Sequence, residues 1–262
     1  MHKDLMFDLI DLCGEGGVKK VVFLGGEPLI YPFLSDGLKR CKENGMLSEI
    51  TTNGRLLSDK TLLDNLLQAG LDSVMLSLKG SNRENYIHTT GKDCFDSIVK
   101  AIENLSGCGI KFGLSAVLTA SFIEHLDELM GLLSEKGARL IVFSFLKEPQ
   151  GAESDRTFFD ANSPEILLPM FYDKLKSVVA AKTMKWLIEC CYPITELEKR
   201  SKSFFEGRFH YSCKNHIVAP LAFDTFGRLL YCNTLPDITY GQYGVNFKTY
   251  EQMRQFIRQT IG

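Results

Sequence analysis

The chain has 262 residues, of which 45% are hydrophobic, so it can bury a core large enough for one sizeable domain or one domain with an appendage. Its 30 basic and 32 acidic side chains leave a formal charge of -2, which gives no electrostatic reason to expect nucleic acid or an anionic membrane as the main partner. No stretch approaches the roughly 20 apolar residues of a membrane span, and the start MHKDLMFDLIDL carries acids where a signal peptide would be basic and then apolar. We therefore expect a cytoplasmic protein.

Helical and strand patterns alternate from the start of the chain to about residue 146. A helix is predicted within 4–13, where leucines recur at helical spacing, and the strand VKKVVFL follows it. The later pairs are a helix over 33–44 with the strand SEITTNG, a helix over 58–70 with DSVMLSL, a helix near 94–107 with KFGLSAVL, and a helix near 121–136 with RLIVFSFL. Five strands, each preceded by a helix, indicate an α/β fold with a parallel sheet and right-handed crossovers.

This order of elements is compatible with a doubly wound sheet and with a barrel-like sheet. The predicted strands mix apolar and small polar residues, as in ITTN, MLSL and GLSAV. Such strands suit a concave face lined by polar groups better than a dry sheet centre. We therefore predict a partial barrel.

The pattern changes after the segment KEPQGAE. A helix is predicted near 164–182, and IVAPLAF-DTFG-RLLYC is typical of a β-hairpin whose turn carries Asp224 and Gly227. We predict a small second domain that begins near residue 185, which divides the chain into 1–184 and 185–262.

Cysteine and histidine spacing gives no sign of a zinc site. Eight cysteines in a chain without an export signal are expected to be free thiols or metal ligands rather than disulfides. No C-x-x-C pair occurs, and the five histidines form no pair at metal-ligand spacing. The glycine-rich GEGG at 14–17 follows a helix and precedes a strand, the reverse of a dinucleotide-binding loop, so it is interpreted as a helix stop.

Polar and small residues follow the first three predicted strands at their carboxyl ends, where ligands of parallel sheets gather. Gly25 and Gly26 let a ligand approach the backbone, and Glu27 can accept hydrogen bonds from an ammonium group. Asn53 and Ser77 add neutral donors and acceptors. The set suits a zwitterionic, hydroxyl-bearing small molecule. On spacing alone, a tight turn followed by a solvated glutamate is an equal alternative.

The segments VVFLGGEPLI, ITTNG and LDSVMLSLKG, in this order and spacing, resemble the core of radical S-adenosylmethionine (SAM) enzymes. The resemblance covers about residues 18–150. It implies a partial (β/α)6 TIM-like barrel. It also implies a [4Fe-4S] cluster that reductively cleaves SAM to a 5'-deoxyadenosyl radical.

The same resemblance assigns roles to individual residues. Gly25, Gly26 and Glu27 would bind the methionine amino group of SAM. Ser77 would lie near the ribose or the carboxylate, and Asn53 would help to shape the pocket. Many relatives have S-L-D-G where this chain has S-L-K-G, so the contact made by that aspartate is in question here.

The region after residue 185 resembles the opening of a SPASM or twitch extension, which carries auxiliary iron-sulfur clusters. The matching pattern is Cys213, thirteen residues, Gly227, four residues and Cys232, and YGQYGVNFKTYEQMRQFI is similar to the segment that follows there. The resemblance implies that Cys213 and Cys232 are metal ligands, with at most one of Cys190 and Cys191 as a further candidate. Two unrelated thiols flanking a hairpin are the alternative.

The C-x-x-x-C-x-x-C loop of that family does not occur in this sequence, and the strand expected before it is missing too. The first hypothesis is therefore a fragment of a SPASM- or twitch-type radical SAM enzyme, inactive alone. Its intact parent would modify a peptide, a protein or a small molecule, with flavodoxin or ferredoxin as electron donor. The second hypothesis is a non-catalytic, cluster-free binding protein with a radical SAM-like barrel. For a third, an unrelated barrel enzyme, the sequence offers no acid, base or nucleophile set.

Overall fold

The computed structural model describes residues 1–146, 156–190, 203–211, 221–232 and 235–261. The strands are β1 (Lys20–Phe23), β2 (Leu47–Thr52), β3 (Ser73–Leu78), β4 (Lys111–Val117), β5 (Leu140–Ser144), β6 (Lys185–Cys190), β7 (Phe209–Tyr211), β8 (Ala222–Phe223), β9 (Arg228–Cys232) and β10 (Leu235–Gln242). The helices are α1 (Lys3–Glu15), α2 (Leu34–Glu43), α3 (Lys60–Gln68), α4 (Arg83–Thr90), α5 (Phe95–Cys108), α6 (Ala120–Glu124), α7 (Leu126–Glu135), α8 (Arg156–Ala161), α9 (Pro164–Leu175), α10 (Ala180–Thr183) and α11 (Tyr250–Ile261). Short 3-10 helices occupy Pro28–Ile30 and Arg55–Ser58.

Strands β1 to β7 lie in one sheet in chain order, and β8, β9 and β10 form a separate three-stranded sheet. The pairs β1–β2, β4–β5, β5–β6 and β6–β7 are parallel. Helices connect these strands, because parallel neighbours need crossover connections. The predicted α/β class with a parallel sheet is confirmed.

The predicted C-terminal hairpin is confirmed in the described residues. β8 and β9 pair antiparallel, and the turn between them closes through a hydrogen bond from the Gly227 nitrogen to the Asp224 carbonyl. The Asp224 carboxylate also accepts from the backbone nitrogens of Phe226 and Arg228, each at 2.9 Å. Gly227 has φ +77°, a conformation that favours glycine.

Several elements differ from the sequence prediction. The helix expected near 121–136 is divided into α6 and α7 at His125, whose φ and ψ of -112° and 23° interrupt it. The helix expected near 164–182 ends as α9 at Leu175. Helices α4, α8 and α11 and strands β6, β7 and β10 were not predicted. Because β6 begins at the expected domain boundary and pairs with β5, the division into 1–184 and 185–262 stays a prediction.

Contacts divide the chain into two compact units. The first unit comprises Met1–Ile50, Asp64–Ser73 and Lys214–Gly262, and the second comprises Thr51–Leu63 and Val74–Cys213. In the first unit, one cluster packs α1 against the C-terminal sheet and α11 through Leu9, Leu12, Leu229, Phe247 and Met253.

The second unit has an aromatic core beneath β5 and β6. Phe143, Phe171 and Trp186 are each almost fully buried, with the ring centroids of Phe143 and Phe171 5.0 Å apart and those of Phe171 and Trp186 5.5 Å apart. Phe205 stacks on Phe171 at 6.2 Å. These rings cover one face of β5 and β6.

Candidate functional site

The glycine pair after β1 forms an open turn in the first unit. Gly25 and Gly26 have φ angles of +93° and +54°, which residues with a side chain rarely adopt. Both are exposed, and a Cβ built on either would meet no described atom within 4 Å. The backbone conformation therefore demands glycine, and the turn leaves its backbone accessible.

Glu27 follows this turn and begins a short 3-10 helix. Its carboxylate Oε1 accepts a hydrogen bond from the Leu29 nitrogen at 3.1 Å, so it caps the helix Pro28–Ile30. Glu27 is half-buried, and Pro28 after it is buried. The cap fixes the direction of the carboxylate. A carboxylate has two oxygens and several lone pairs, so capping and ligand binding are compatible roles for one side chain.

In the second unit, the sequence T-N-G after β2 forms a turn that its own side chains stabilise. Thr52 Oγ1 accepts from the Gly54 nitrogen at 3.0 Å, and Asn53 Oδ1 accepts from the Arg55 nitrogen at 2.9 Å. Gly54 has φ +78°, and a Cβ on it would lie 2.4 Å from Leu76 Cδ2. Asn53 is thus half-buried in a turn of defined shape.

Ser77 lies on the less buried face of the second unit's sheet. Residues of β3 alternate between half-buried and buried, and Ser77 is in the half-buried set. The neighbours of Gly113 in β4 identify other residues on that face. A Cβ built on Gly113 would lie 3.2 Å from Leu140 Cδ2 and 3.4 Å from Met75 Cε. Since Met75 precedes Ser77 by two residues, both point to this face. We call it the open face.

At the carboxyl ends of the strands, the open face includes Ser144, which ends β5, and Glu189, the penultimate residue of β6. Val117 of β4 is the register partner of Ser144 on its other side. Ser144 and Glu189 are register partners, and both are half-buried. The sequence analysis predicted a polar-lined face but missed this pair. The signal for Glu189 was its alternation with buried Trp186 and Ile188.

Comparison with known proteins gives the family. Residues 1–133 match the family model of the radical SAM superfamily, which is half of the chain. The chain belongs to the radical SAM superfamily.

Among curated radical SAM relatives, the chain is 40% identical over 99 residues to a GTP 3',8-cyclase of Chlorobaculum tepidum, a match to 37% of this chain and 29% of that protein. It is 29% identical over 160 residues to a GTP 3',8-cyclase of Campylobacter fetus, covering 58% of this chain and 49% of that protein. An Fe-coproporphyrin III synthase of Methanosarcina barkeri is 30% identical over 138 residues, with 53% and 34% covered. The chain thus spans less than half the length of these relatives.

Solved structures show the radical SAM fold. SuiB of Streptococcus suis bound to S-adenosylmethionine has a TM-score of 0.66 and 20% identity, covering 92% of this chain and 55% of that one. Native anSMEcpe with bound AdoMet has a TM-score of 0.71 and 16% identity, covering all of this chain and 75% of that one. With the parallel sheet and the C-terminal hairpin sheet, these likenesses confirm the predicted partial barrel.

Membership of the radical SAM superfamily implies SAM and a [4Fe-4S] cluster, and the described cysteines do not fit the cluster. Cys13 is half-buried and Cys41 is buried. Burial raises the pKa of Cys13 to about 11 and that of Cys41 to about 12. Within the part of the chain that the structure describes, no group of three His, Cys, Asp or Glu could hold a metal ion.

The two cysteines predicted as auxiliary ligands are not tested by the structure. Cys213 lies outside the described residues, as does Cys191. Cys232 ends β9, where its backbone pairs with Leu235 of β10. Their role as ligands, with or without Cys190, therefore stays a prediction.

Within the described ranges, every helix is too short or too polar to span a bilayer.

Proposed function

We propose that this chain provides the SAM-binding part of a radical SAM enzyme. The observation that carries the proposal is the open turn at Gly25 and Gly26, followed by the oriented carboxylate of Glu27. A turn without side chains lets the methionine end of SAM approach the backbone. A carboxylate fixed beside it accepts hydrogen bonds from the ammonium group, and bonds between charged partners are the stronger kind.

We also propose roles for two residues of the second unit. Ser77 supplies a hydroxyl for the ribose or the carboxylate of SAM, and Asn53 presents a turn of defined shape to the ligand. In this family, SAM would be cleaved to methionine and a 5'-deoxyadenosyl radical by one electron from a reduced [4Fe-4S] cluster. The residues of this chain bind and orient the cofactor and shield it from water. No step is assigned to an iron-sulfur cluster, because the described cysteines do not fit one.

For the substrate and the electron donor, we propose only a chemical class. Curated relatives are named for GTP and for coproporphyrin, while solved neighbours include SuiB with its precursor peptide SuiA and anSMEcpe with a peptide. We keep a peptide, a protein or a small molecule as the substrate, and flavodoxin or ferredoxin as the electron donor.

Isothermal titration of the chain with SAM tests the proposal. Glu27→Gln keeps an oxygen that can accept from the Leu29 nitrogen but removes the charge. We expect it to weaken SAM binding about tenfold, the effect of losing a charged hydrogen bond. Glu15→Gln, an exposed glutamate of the same unit, is the matched control and should bind SAM as the parent does.

A second ligand separates ammonium recognition from general damage to the site. 5'-Methylthioadenosine lacks the methionine amino and carboxylate groups, so Glu27→Gln should leave its affinity unchanged. The proposal fails if the parent chain does not bind SAM. The assignment of Glu27 fails if SAM affinity is the same in the parent and in Glu27→Gln.

A further inference from the structure

We infer that Ser144 and Glu189 form a subsite that binds an ammonium or guanidinium group carried on an aliphatic chain. The inference rests on the proposed function in one respect, namely that this cationic group belongs to the substrate of the SAM-derived radical. The subsite lies wholly within the second unit and involves none of the residues assigned to SAM.

Backbone register brings the two side chains together. Strands β5 and β6 are parallel, and Ser144 pairs with Glu189. Adjacent strands lie about 4.8 Å apart, and residues in register project to the same face. Both residues lie at the carboxyl ends of their strands, the edge where ligands of parallel α/β sheets bind. One hydroxyl and one carboxylate therefore stand side by side where a substrate would arrive.

Glu189 has the environment of a ligand group rather than of a surface charge. It is half-buried, so part of its hydration is lost. Among the ion pairs and hydrogen bonds of the described residues, none includes the Glu189 carboxylate, and the register partner of Glu189 on β7 is His210. A partly dehydrated carboxylate without a partner gains most from a cation that brings its own donors. An ionised carboxylate only accepts hydrogen bonds, which selects a donor-rich group.

Two apolar residues that precede the pair on this face favour a ligand whose charged group ends a long aliphatic chain. Val142 and Leu187 are register partners two residues before Ser144 and Glu189, so they lie on the same face. Both are half-buried. The methylene stem of a lysine-like or arginine-like group packs on such an apolar row while its head reaches the carboxylate. The chemical class is therefore an aliphatic amine or guanidine.

An NMR titration of the whole chain tests the subsite. The probe is Nα-acetyl-lysine amide, and its matched control is Nα-acetyl-norleucine amide, which lacks the ammonium group. We expect the lysine probe to shift the backbone amide signals of Ser144 and Glu189, and the norleucine probe to leave them in place. Glu189→Gln should lower the affinity for the lysine probe about tenfold, as expected for loss of a charged partner.

Two control variants keep the result interpretable. Glu165→Gln changes an exposed glutamate of α9 and should bind the lysine probe as the parent does. Glu189→Asp keeps the charge on a shorter stem and should retain part of the affinity that Glu189→Gln loses. Equal affinity of the parent and Glu189→Gln, or equal shifts with the norleucine probe, would overturn the inference.

The same samples separate this inference from the proposed function. SAM binding that is intact in Glu189→Gln, together with lost lysine-probe binding, is the expected result. If the parent binds SAM but the lysine probe does not shift Ser144 and Glu189, only the subsite is wrong. If the lysine probe binds at Glu189 but SAM does not bind, the proposed function is wrong and the cation site stands.

A third probe identifies the source of the cation. A seven-residue Gly-Ser peptide with a single central lysine presents the same ammonium group on a peptide backbone. Binding that is tighter than that of the lysine amide, and still sensitive to Glu189→Gln, assigns a peptide substrate. Equal or weaker binding assigns a small-molecule amine. If the peptide shifts the amide signals equally in the parent and in Glu189→Gln, the peptide lysine does not bind at Glu189 and the subsite is wrong for this probe.

Discussion

Gly80 and Tyr86 lie in backbone contact: a Cβ built on Gly80 would stand 2.4 Å from both the nitrogen and the Cα of Tyr86. Gly80 ends the S-L-K-G segment after β3, and Tyr86 lies in α4. The close approach lets this helix pack directly on the chain that leaves β3. The glycine of that segment therefore has a packing role, whether or not a ligand is bound.

Gly80→Ala should lower the free energy of unfolding by about 1 to 3 kcal/mol, because the added methyl group meets backbone atoms that cannot rotate away. Urea unfolding followed by the fluorescence of Trp186, the single tryptophan, measures the change in the second unit. Gly131→Ala is the control. Gly131 lies in α7 with no described atom within 4 Å of an added Cβ, so alanine there should raise stability by up to about 1 kcal/mol. Equal effects at the two sites would contradict the packing role of Gly80.

Asn85 of α4 connects the loop after β3 with helix α6, which follows the neighbouring strand β4 of the second unit. Its Oδ1 accepts from the Ser81 nitrogen at 3.0 Å, and its Nδ2 donates to Ser121 Oγ at 3.3 Å. Asn85 is only 7% exposed, so its removal leaves the Ser81 nitrogen buried without this acceptor. We expect Asn85→Ala to cost about 1 to 3 kcal/mol in the free energy of unfolding.

A double-mutant cycle of Asn85→Ala with Ser121→Ala checks whether α4 and α6 are coupled through Asn85. The cycle should give a coupling energy of about 0.5 to 1 kcal/mol, typical of residues that share a hydrogen bond. Asn65→Ala, at an exposed position of α3, is the control and should change stability by less than about 0.5 kcal/mol. A coupling energy of zero would show that the Asn85–Ser121 bond does not stabilise the fold.

The sequence predicts elements well where local signals and packing agree. Helix α2 has an apolar stripe and ends before Gly45, which has φ +69°, and its predicted bounds are within a residue of the structure. Helix α4 has no apolar stripe. It begins at Asn82, whose side chain accepts from the Asn85 nitrogen at 2.8 Å, and it packs on Gly80. That contact depends on the tertiary structure and has no periodic signal in the sequence.

The same distinction holds for the candidate site. The turn at Gly25 and Gly26 is predictable because two glycines after a strand have few other uses. The pairing of Ser144 with Glu189 was not predictable, since it depends on the register of β5 against β6. Register between strands 40 residues apart is set by packing of the whole sheet rather than by either strand alone.

The ion pair of Asp11 with Arg40 should make stability depend on pH. Arg40 donates to the two carboxylate oxygens from Nε at 2.7 Å and from Nη2 at 2.6 Å, and these bonds hold the pKa of Asp11 below its ordinary value of 3.8. A lowered carboxyl pKa stabilises the fold above the unfolded value, and the effect is lost as pH falls through the folded value. Both side chains are 37% exposed, so the pair contributes about 0.5 to 1 kcal/mol.

Asp11→Asn isolates this contribution. We expect the variant to be less stable than the parent by about 0.5 to 1 kcal/mol at neutral pH and equal to it at a pH well below the ordinary Asp value. Urea unfolding at several pH values gives the two curves. Asp8→Asn, at an exposed position of the same helix, should show no such convergence. A constant difference between Asp11→Asn and the parent at all pH values would mean that the pair is not the cause.

The thiols of Cys13 and Cys41 should react slowly in the folded chain. Cys41 is fully buried in α2 and Cys13 is packed against the same apolar cluster. Burial raises the pKa of Cys13 to about 11 and that of Cys41 to about 12, and only the thiolate is nucleophilic. At pH 8, iodoacetamide should label both at least about ten times more slowly in the native chain than in urea. Peptide mass spectrometry measures each rate separately.

Labelling the same thiols after reconstitution with iron and sulfide tests whether Cys13 and Cys41 bind iron. Because Cys13 and Cys41 belong to no group of three candidate ligands among the described residues, reconstitution with iron and sulfide should leave their labelling rates unchanged. Slower labelling of Cys232 under the same conditions would support its predicted role as an auxiliary ligand. Slower labelling of Cys13 and Cys41 after reconstitution would instead show that the first unit opens to bind iron. That result would contradict the packing of the cluster formed by Met6, Ile10, Cys41 and Met46.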